Sequence, residues 1–175
     1  MDFCGPYDKY LAEHHREFLH APLLAGWEFM QRVPLTTEES GWMSLAKAQD
    51  WKLPASIRHE LLSDKWAIVI TDIDQIIQYV NLPFEEMTGY SSQEVLGRRP
   101  GFLQGEGTSQ RIRQHIKQGI DRQKSVRGRL MNYRKDQTPY VCQLIIRPIV
   151  NRQKQVVNFI AFEQEVGSNG KSIVR

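Results

Sequence analysis

The residues able to do chemistry are few and scattered. Cys4 and Cys142 stand far apart, and neither has a Cys or His neighbour at metal-ligand spacing, so they read as free thiols of a reducing cytoplasm. Of the five histidines, none joins a Ser, Cys or Asp in the pattern nucleophilic catalysis needs, and no glycine loop has phosphate-cradling spacing. No enzymatic activity and no metal site are expected. The densest charge signal is basic, with 11 Lys and Arg between Arg98 and Lys135. Residues 1–63 hold 6 basic against 9 acidic residues and residues 64–175 hold 17 against 11, so the two parts carry −3 and +6. Nucleic-acid binding through residues 98–135 is one reading of that asymmetry. Tyr133 is its one well-placed aromatic and Glu106, Asp121 and Asp136 interrupt it, so a solvated helix face is preferred.

The elements that must position these residues fall into two regions. Residues 1–63 read as short amphipathic helices. Tyr7, Tyr10, Leu11, His14 and Phe18 share one helix face, and Pro22 suits the first turn of a second helix carrying Trp27. Thr36 and Glu39 form a capping box before Trp42, Met43, Leu45 and Ala46, and a shorter helix with Ile57, Leu61 and Leu62 follows Pro54. After Asp64 the pattern turns to β: strands at 67–71 and 76–80 flank a turn at 72–75, and three more lie near 125–135, 140–150 and 156–165. Between them Asn81 caps a helix closing at Gly89, Ser91 restarts another that stops at Gly97, and a longer helix runs over about 108–119 with Ile112, Ile116 and Ile120 on one side. The order predicts an α+β fold, a five-stranded antiparallel sheet with helices on one face, preceded by a helical extension. Residues 166–175 read as a flexible Gly/Ser/Asn tail. No apolar run is long enough to span a membrane.

That order, with Tyr79-Val80-Asn81-Leu82-Pro83-Phe84, Met87-Thr88-Gly89-Tyr90, Gly97-Arg98-Arg99-Pro100-Gly101-Phe102-Leu103-Gln104-Gly105 and Asn132-Tyr133-Arg134-Lys135-Asp136, resembles the PAS family over residues 64–165. The stretch from Gly97 is most similar to its flavin-binding LOV branch. The resemblance implies a sensory or interaction module in signal transduction that acts through ligand or partner binding and dimerisation. It also places Pro100 where LOV domains carry the cysteine that attacks the flavin, and proline offers no nucleophile. The neighbouring phosphate-binding arginine is Gly101, the second is Lys117, and of the four ring contacts Gln104 and Asn132 match while Cys142 and Glu163 depart. These departures imply that no cofactor is held. A flavin- or heme-binding redox or gas sensor is the alternative, with His115 on the long helix as the heme ligand. The hairpin glycines of the family are Gln75 and Gln137 here, so those turns are expected to be rearranged.

Strand alternation sorts the sheet residues onto two faces. Asn132 groups with Val126, Gly128 and Leu130, Cys142 with Tyr140, Leu144 and Ile146, and Glu163 with Phe159 and Ala161. With Phe102, Leu103 and Gln104 these line the internal pocket that the resemblance implies. Glu163, Asn132 and Gln104 are expected to satisfy one another inside a filled interior, the sharper alternative being a pocket for a small polar ligand that donates to Glu163. The other face carries Met131, Tyr133, Val141, Ile145, Ile160 and Phe162, too apolar to face water as one patch. It needs a cover, either the N-terminal helices with Trp27 or a second subunit, and a homodimer is the expectation.

Overall fold

The computed structural model describes residues 37–167, with side chains from Gly41 onward. The helices expected over 7–18 and after Pro22, Trp27 among them, and the last eight residues lie outside the described residues. Helix α1 (Thr37–Ala48) and helix α2 (Ala55–Leu61) lead into strands β1 (Ala67–Asp72) and β2 (Ile77–Val80). Helices α3 (Leu82–Thr88) and α4 (Ser92–Val95), a 3₁₀ turn (Pro100–Leu103) and helix α5 (Gln110–Asp121) follow, and β3 (Val126–Tyr133), β4 (Pro139–Val150) and β5 (Val156–Glu165) complete the fold. The five strands form one antiparallel sheet in the order β2-β1-β5-β4-β3.

Local chemistry explains the boundaries. The Asn81 side chain accepts from the N–H groups of Phe84 and Ile68 and donates to the Trp66 carbonyl, so one buried amide starts α3 and ties it to β1. Gly89 ends that helix at φ 74°, a left-handed value glycine adopts without a Cβ penalty. Ser91 and Glu94 form the capping box of α4. The two hairpin turns are not rearranged: Gln75 sits at φ 64° and Gln137 at φ 69°. The chain keeps the left-handed geometry and accepts the strain of a side chain there.

The sheet buries both faces. On the inner face Val126, Leu130, Cys142, Leu144 and Phe159 pack against Ile112, Ile116 and Ile120 of α5, while Ala67, Val69 and Ile77 meet Phe84, Val95 and Leu103. On the outer face Ile68, Ile70, Ile160 and Phe162 pack with Trp42, Trp51, Ile57 and Leu61. The helical residues from Trp42 to Leu61 thus share one hydrophobic core with the sheet. Trp51 is fixed there by its indole N–H, which donates to Asn158 Oδ1 at 2.8 Å, while the Asn158 amide donates to the Thr71 carbonyl. Ile160 and Phe162, expected under a helical cap or at a dimer contact, lie beneath the helices, 0% and 1% exposed. Tyr133 lies against Gly105 and Gly107 and accepts from the Gly107 N–H, which leaves half-buried Met131, Val141 and Ile145 of the expected set. Val166 is buried and donates to the Val141 carbonyl, so the sheet's pairing runs one residue into the expected tail. No helix of the described residues is long and apolar enough to cross a membrane.

Candidate functional site

A cavity of about 450 Å³ lies between the inner sheet face, the 3₁₀ turn and α5. That volume falls in the roughly 300–1,000 Å³ range of small-molecule and cofactor sites. The α5 contribution follows from helix spacing: Gln110, Arg113, Gln114 and Lys117 stand at i, i+3, i+4 and i+7 and line the cavity, beside the stripe of Ile112, Ile116 and Ile120 that packs on the sheet. Arg99, Pro100 and Gly101 add a wall from the 3₁₀ turn, and Leu103 and Gln104 follow at its end. From the sheet come Val69, Leu130, Asn132, Leu144, Phe159, Ala161 and Glu163.

The expected pocket residues divide accordingly. Leu103, Gln104, Asn132, Leu144, Phe159 and Glu163 line the cavity. Cys142 is fully buried and touches Glu163 through its thiol, which donates to Oε2 at 3.7 Å. Phe102 is outside the lining, packed edge-on against Tyr90 with Arg98 over its ring. His115 is exposed and absent from the lining, because it falls on the opposite side of α5 from Gln110, Arg113, Gln114 and Lys117, so it is not placed to bind a heme in this cavity. Arg99 and Arg113, part of the basic region read from the sequence, are not among the expected pocket residues. The polar stripe on α5 carried that signal for Arg113, and no pattern carried it for Arg99.

The electrostatics are set by burial. Glu163 and Asn132 are 5% and 4% exposed. Gln104, Asn132 and Glu163 do not satisfy one another: Glu163 has the Cys142 thiol as its hydrogen-bond partner, and Asn132 Oδ1 and the Tyr140 hydroxyl oxygen are buried without an aligned one. Asn132 and Tyr140 are cross-strand partners of β3 and β4. Burial first, then the charge of Glu163, push the Tyr140 hydroxyl and the Cys142 thiol up, so both stay protonated. Burial raises Glu163 itself from 4.5 to about 7, partly offset by the thiol. The interior is therefore open rather than filled, with the unpartnered Asn132 Oδ1 on one lining residue and three cationic side chains in the lining. Those features fit a heterocycle with hydrogen-bonding ring edges and an anionic tail.

Part of the basic region is engaged elsewhere. Arg134 pairs with Glu165 at 2.7 Å and lies over the Tyr140 ring, and Lys135 pairs with Glu94. Tyr133, its one stacking residue, is held by the Gly107 loop. Among the described residues no His, Cys, Asp and Glu cluster is arranged to hold a metal ion.

Comparison with known proteins gives this geometry its context. The PAS domain family model matches residues 66–167. Phototropin-1A of Oryza sativa subsp. japonica is 34% identical over 118 residues, which cover 66% of this chain and 13% of that protein. The chain thus spans about an eighth of that relative's length. A light-oxygen-voltage domain studied with a flavin analogue is 31% identical, with a TM-score of 0.61 over 65% of this chain and 87% of that domain. The LOV domain of a blue-light activated histidine kinase from Erythrobacter litoralis is 31% identical, with a TM-score of 0.56 over 59% of this chain and 97% of that domain. These likenesses overturn the expectation that no cofactor is held. Substitution at two ring contacts and two arginines did not close the interior, and the domains it resembles include one handled with a flavin analogue. The five-stranded antiparallel sheet, its flanking helices and the family match agree: the chain belongs to the PAS domain family, as a sensory domain of the LOV type.

Proposed function

We propose that the cavity holds a flavin noncovalently and that the chain serves as a light- or redox-responsive signalling domain without a cysteinyl adduct. The observation that carries this reading is the open 450 Å³ cavity, with Gln104, Asn132 and Glu163 among its polar lining and Arg99, Arg113 and Lys117 among its cations. Bound flavin supplies blue-light absorption and exchange of electrons and protons. Gln104, Asn132 and Glu163 would read the ring's hydrogen-bonding edge, while Leu103, Leu130, Leu144 and Phe159 exclude water. Arg99, Arg113 and Lys117 would draw an anionic tail and replace the arginine that Gly101 lacks. Pro100 lines the cavity without a nucleophile, so no covalent bond to the protein forms from that position.

The output would run through β5, whose two faces serve different layers. Phe159, Ala161 and Glu163 line the cavity, while Asn158, Ile160 and Phe162 hold Trp51 and the helices over the outer face. A homodimer, expected from the sequence, would use Met131, Val141 and Ile145. The direct test of flavin binding is equilibrium dialysis of the refolded, flavin-free protein against FMN, followed by an absorbance spectrum and acid release. Uptake of one FMN per chain, released intact by acid, is expected. Absence of uptake at concentrations well above those of a typical cofactor site would reject the reading.

A further inference from the structure

Glu163 occupies an unusual place for a carboxyl group. It is 5% exposed, it lines the cavity, and its hydrogen-bond partner is a thiol rather than a cation. A carboxylate in that position would be buried without a compensating charge, a state costly enough that such groups take a proton instead. We propose that Glu163 stands in the cavity as a protonated carboxyl that donates its hydrogen bond to a carbonyl or ring-nitrogen acceptor of the bound heterocycle, so that ligand binding and proton uptake are one coupled event. The choice of a flavin-class ring rests on the function proposed above. The protonated carboxyl does not.

The groups around Glu163 leave it that role. From β4, Cys142 offers a thiol that stays protonated, and Tyr140 a phenol that stays neutral. From β1, the paired Ala67 and the cavity-lining Val69 carry no charge. From β3 comes the neutral Asn132 amide, with its Oδ1 buried and unaligned, and from the end of the 3₁₀ turn the Gln104 amide. On β5 itself Glu165, two residues on, is paired with Arg134 at 2.7 Å. Arg99, Arg113 and Lys117 line the same cavity, yet the influences that set the Glu163 titration are burial, which raises it to about 7, and the Cys142 thiol. An amide at this position would donate and accept at every pH. A carboxyl donates only while protonated, and the proton it takes up comes from solvent water.

The linkage has a definite sign. A ligand that accepts from Glu163 binds the protonated form, so its affinity is highest below the titration of Glu163 and falls as pH rises through it, by up to about tenfold per pH unit. Riboflavin is the probe, because it has the ring without a phosphate that titrates in the same range. Its dissociation constant is measured by fluorescence quenching from pH 5.5 to 8.5 for the wild type and for Glu163→Gln, together with infrared spectra of both flavin-free proteins. The expected result is weakening of wild-type binding above neutrality, flat binding in E163Q, and a protonated-carboxyl carbonyl stretch that fades with rising pH and is missing in E163Q. Parallel pH profiles for the two proteins, or absence of that stretch at pH 5.5, would overturn the proposal. If riboflavin binds neither protein while the stretch is present and titrates, the flavin reading falls and the protonated carboxyl stands.

Discussion

Glu163→Gln should stabilise the protein at alkaline pH relative to its effect at acid pH, and the structure sets the size. Burial moves the carboxyl from 4.5 to about 7 in the folded state. In the wild type the folded protein must therefore either hold a proton that the unfolded chain has released or bury a charge. The stability contributed by the protonated group is fully present below pH 4.5 and is lost as pH rises toward 7, after which the loss is constant. At roughly 1.4 kcal/mol per pH unit, the accumulated loss is about 3 kcal/mol. Glutamine does not titrate, so the difference between E163Q and wild type should grow by about that amount in favour of E163Q between pH 4 and pH 8. Any fixed cost of packing the amide beside Cys142 shifts both ends equally and drops out. Urea denaturation at half-unit pH steps supplies the two curves, with equal m-values as the check that the unfolded states match. A difference independent of pH, or one that grows toward acid, would refute the assignment of Glu163 as a buried, neutral carboxyl.

Other substitutions probe the frame around the cavity. Trp51→Phe keeps the ring in the outer-face core but leaves Asn158 Oδ1 buried without its donor, at an expected cost of about 1–3 kcal/mol by denaturation. Gln137→Gly relieves a side chain held at φ 69° and should stabilise by up to about 1 kcal/mol, read as a raised melting temperature; a loss would mean that the turn's strain is absorbed elsewhere. Ile145→Asp places a charge on the half-buried outer face, opposite Phe162 in the β4–β5 register, and should convert a dimer to a folded monomer in light scattering. An unchanged dimer would exclude that face as the contact.

Much of the fold could be read because short-range chemistry sets it. Asn81, Gly89 and the Ser91–Glu94 box mark helix ends by capping alone, and two-residue alternation assigned Asn132, Leu144 and Glu163 to the inner face before any neighbour was known. The readings that changed depended on contacts far along the chain. Gln75 and Gln137 were expected to reject left-handed turns, but β1–β2 and β3–β4 pairing holds both hairpins and outweighs a local cost of about 1 kcal/mol. Phe102, next to two cavity residues in sequence, turns away because a 3₁₀ turn sends adjacent side chains in different directions and Tyr90 receives its ring.

The largest change concerned the inside of the cavity, and its cause is geometric. Gln104, Asn132 and Glu163 have complementary donors and acceptors, which on composition alone is enough to fill a core with mutual hydrogen bonds. They sit, however, on three separate elements: the end of the 3₁₀ turn, edge strand β3, and inner strand β5. Strands β3 and β5 are separated by all of β4, so at about 4.8 Å per strand their backbones are nearly 10 Å apart, beyond the reach of an Asn and a Glu toward one hydrogen bond. The position between them belongs to Cys142, whose short thiol reaches Glu163 and leaves Asn132 unserved. A longer polar side chain at 142 could bridge the two and close the inner end. The sequence places a small residue there, so the gap is written into the register of β4, and Asn132 Oδ1 beside it keeps no aligned partner within the protein.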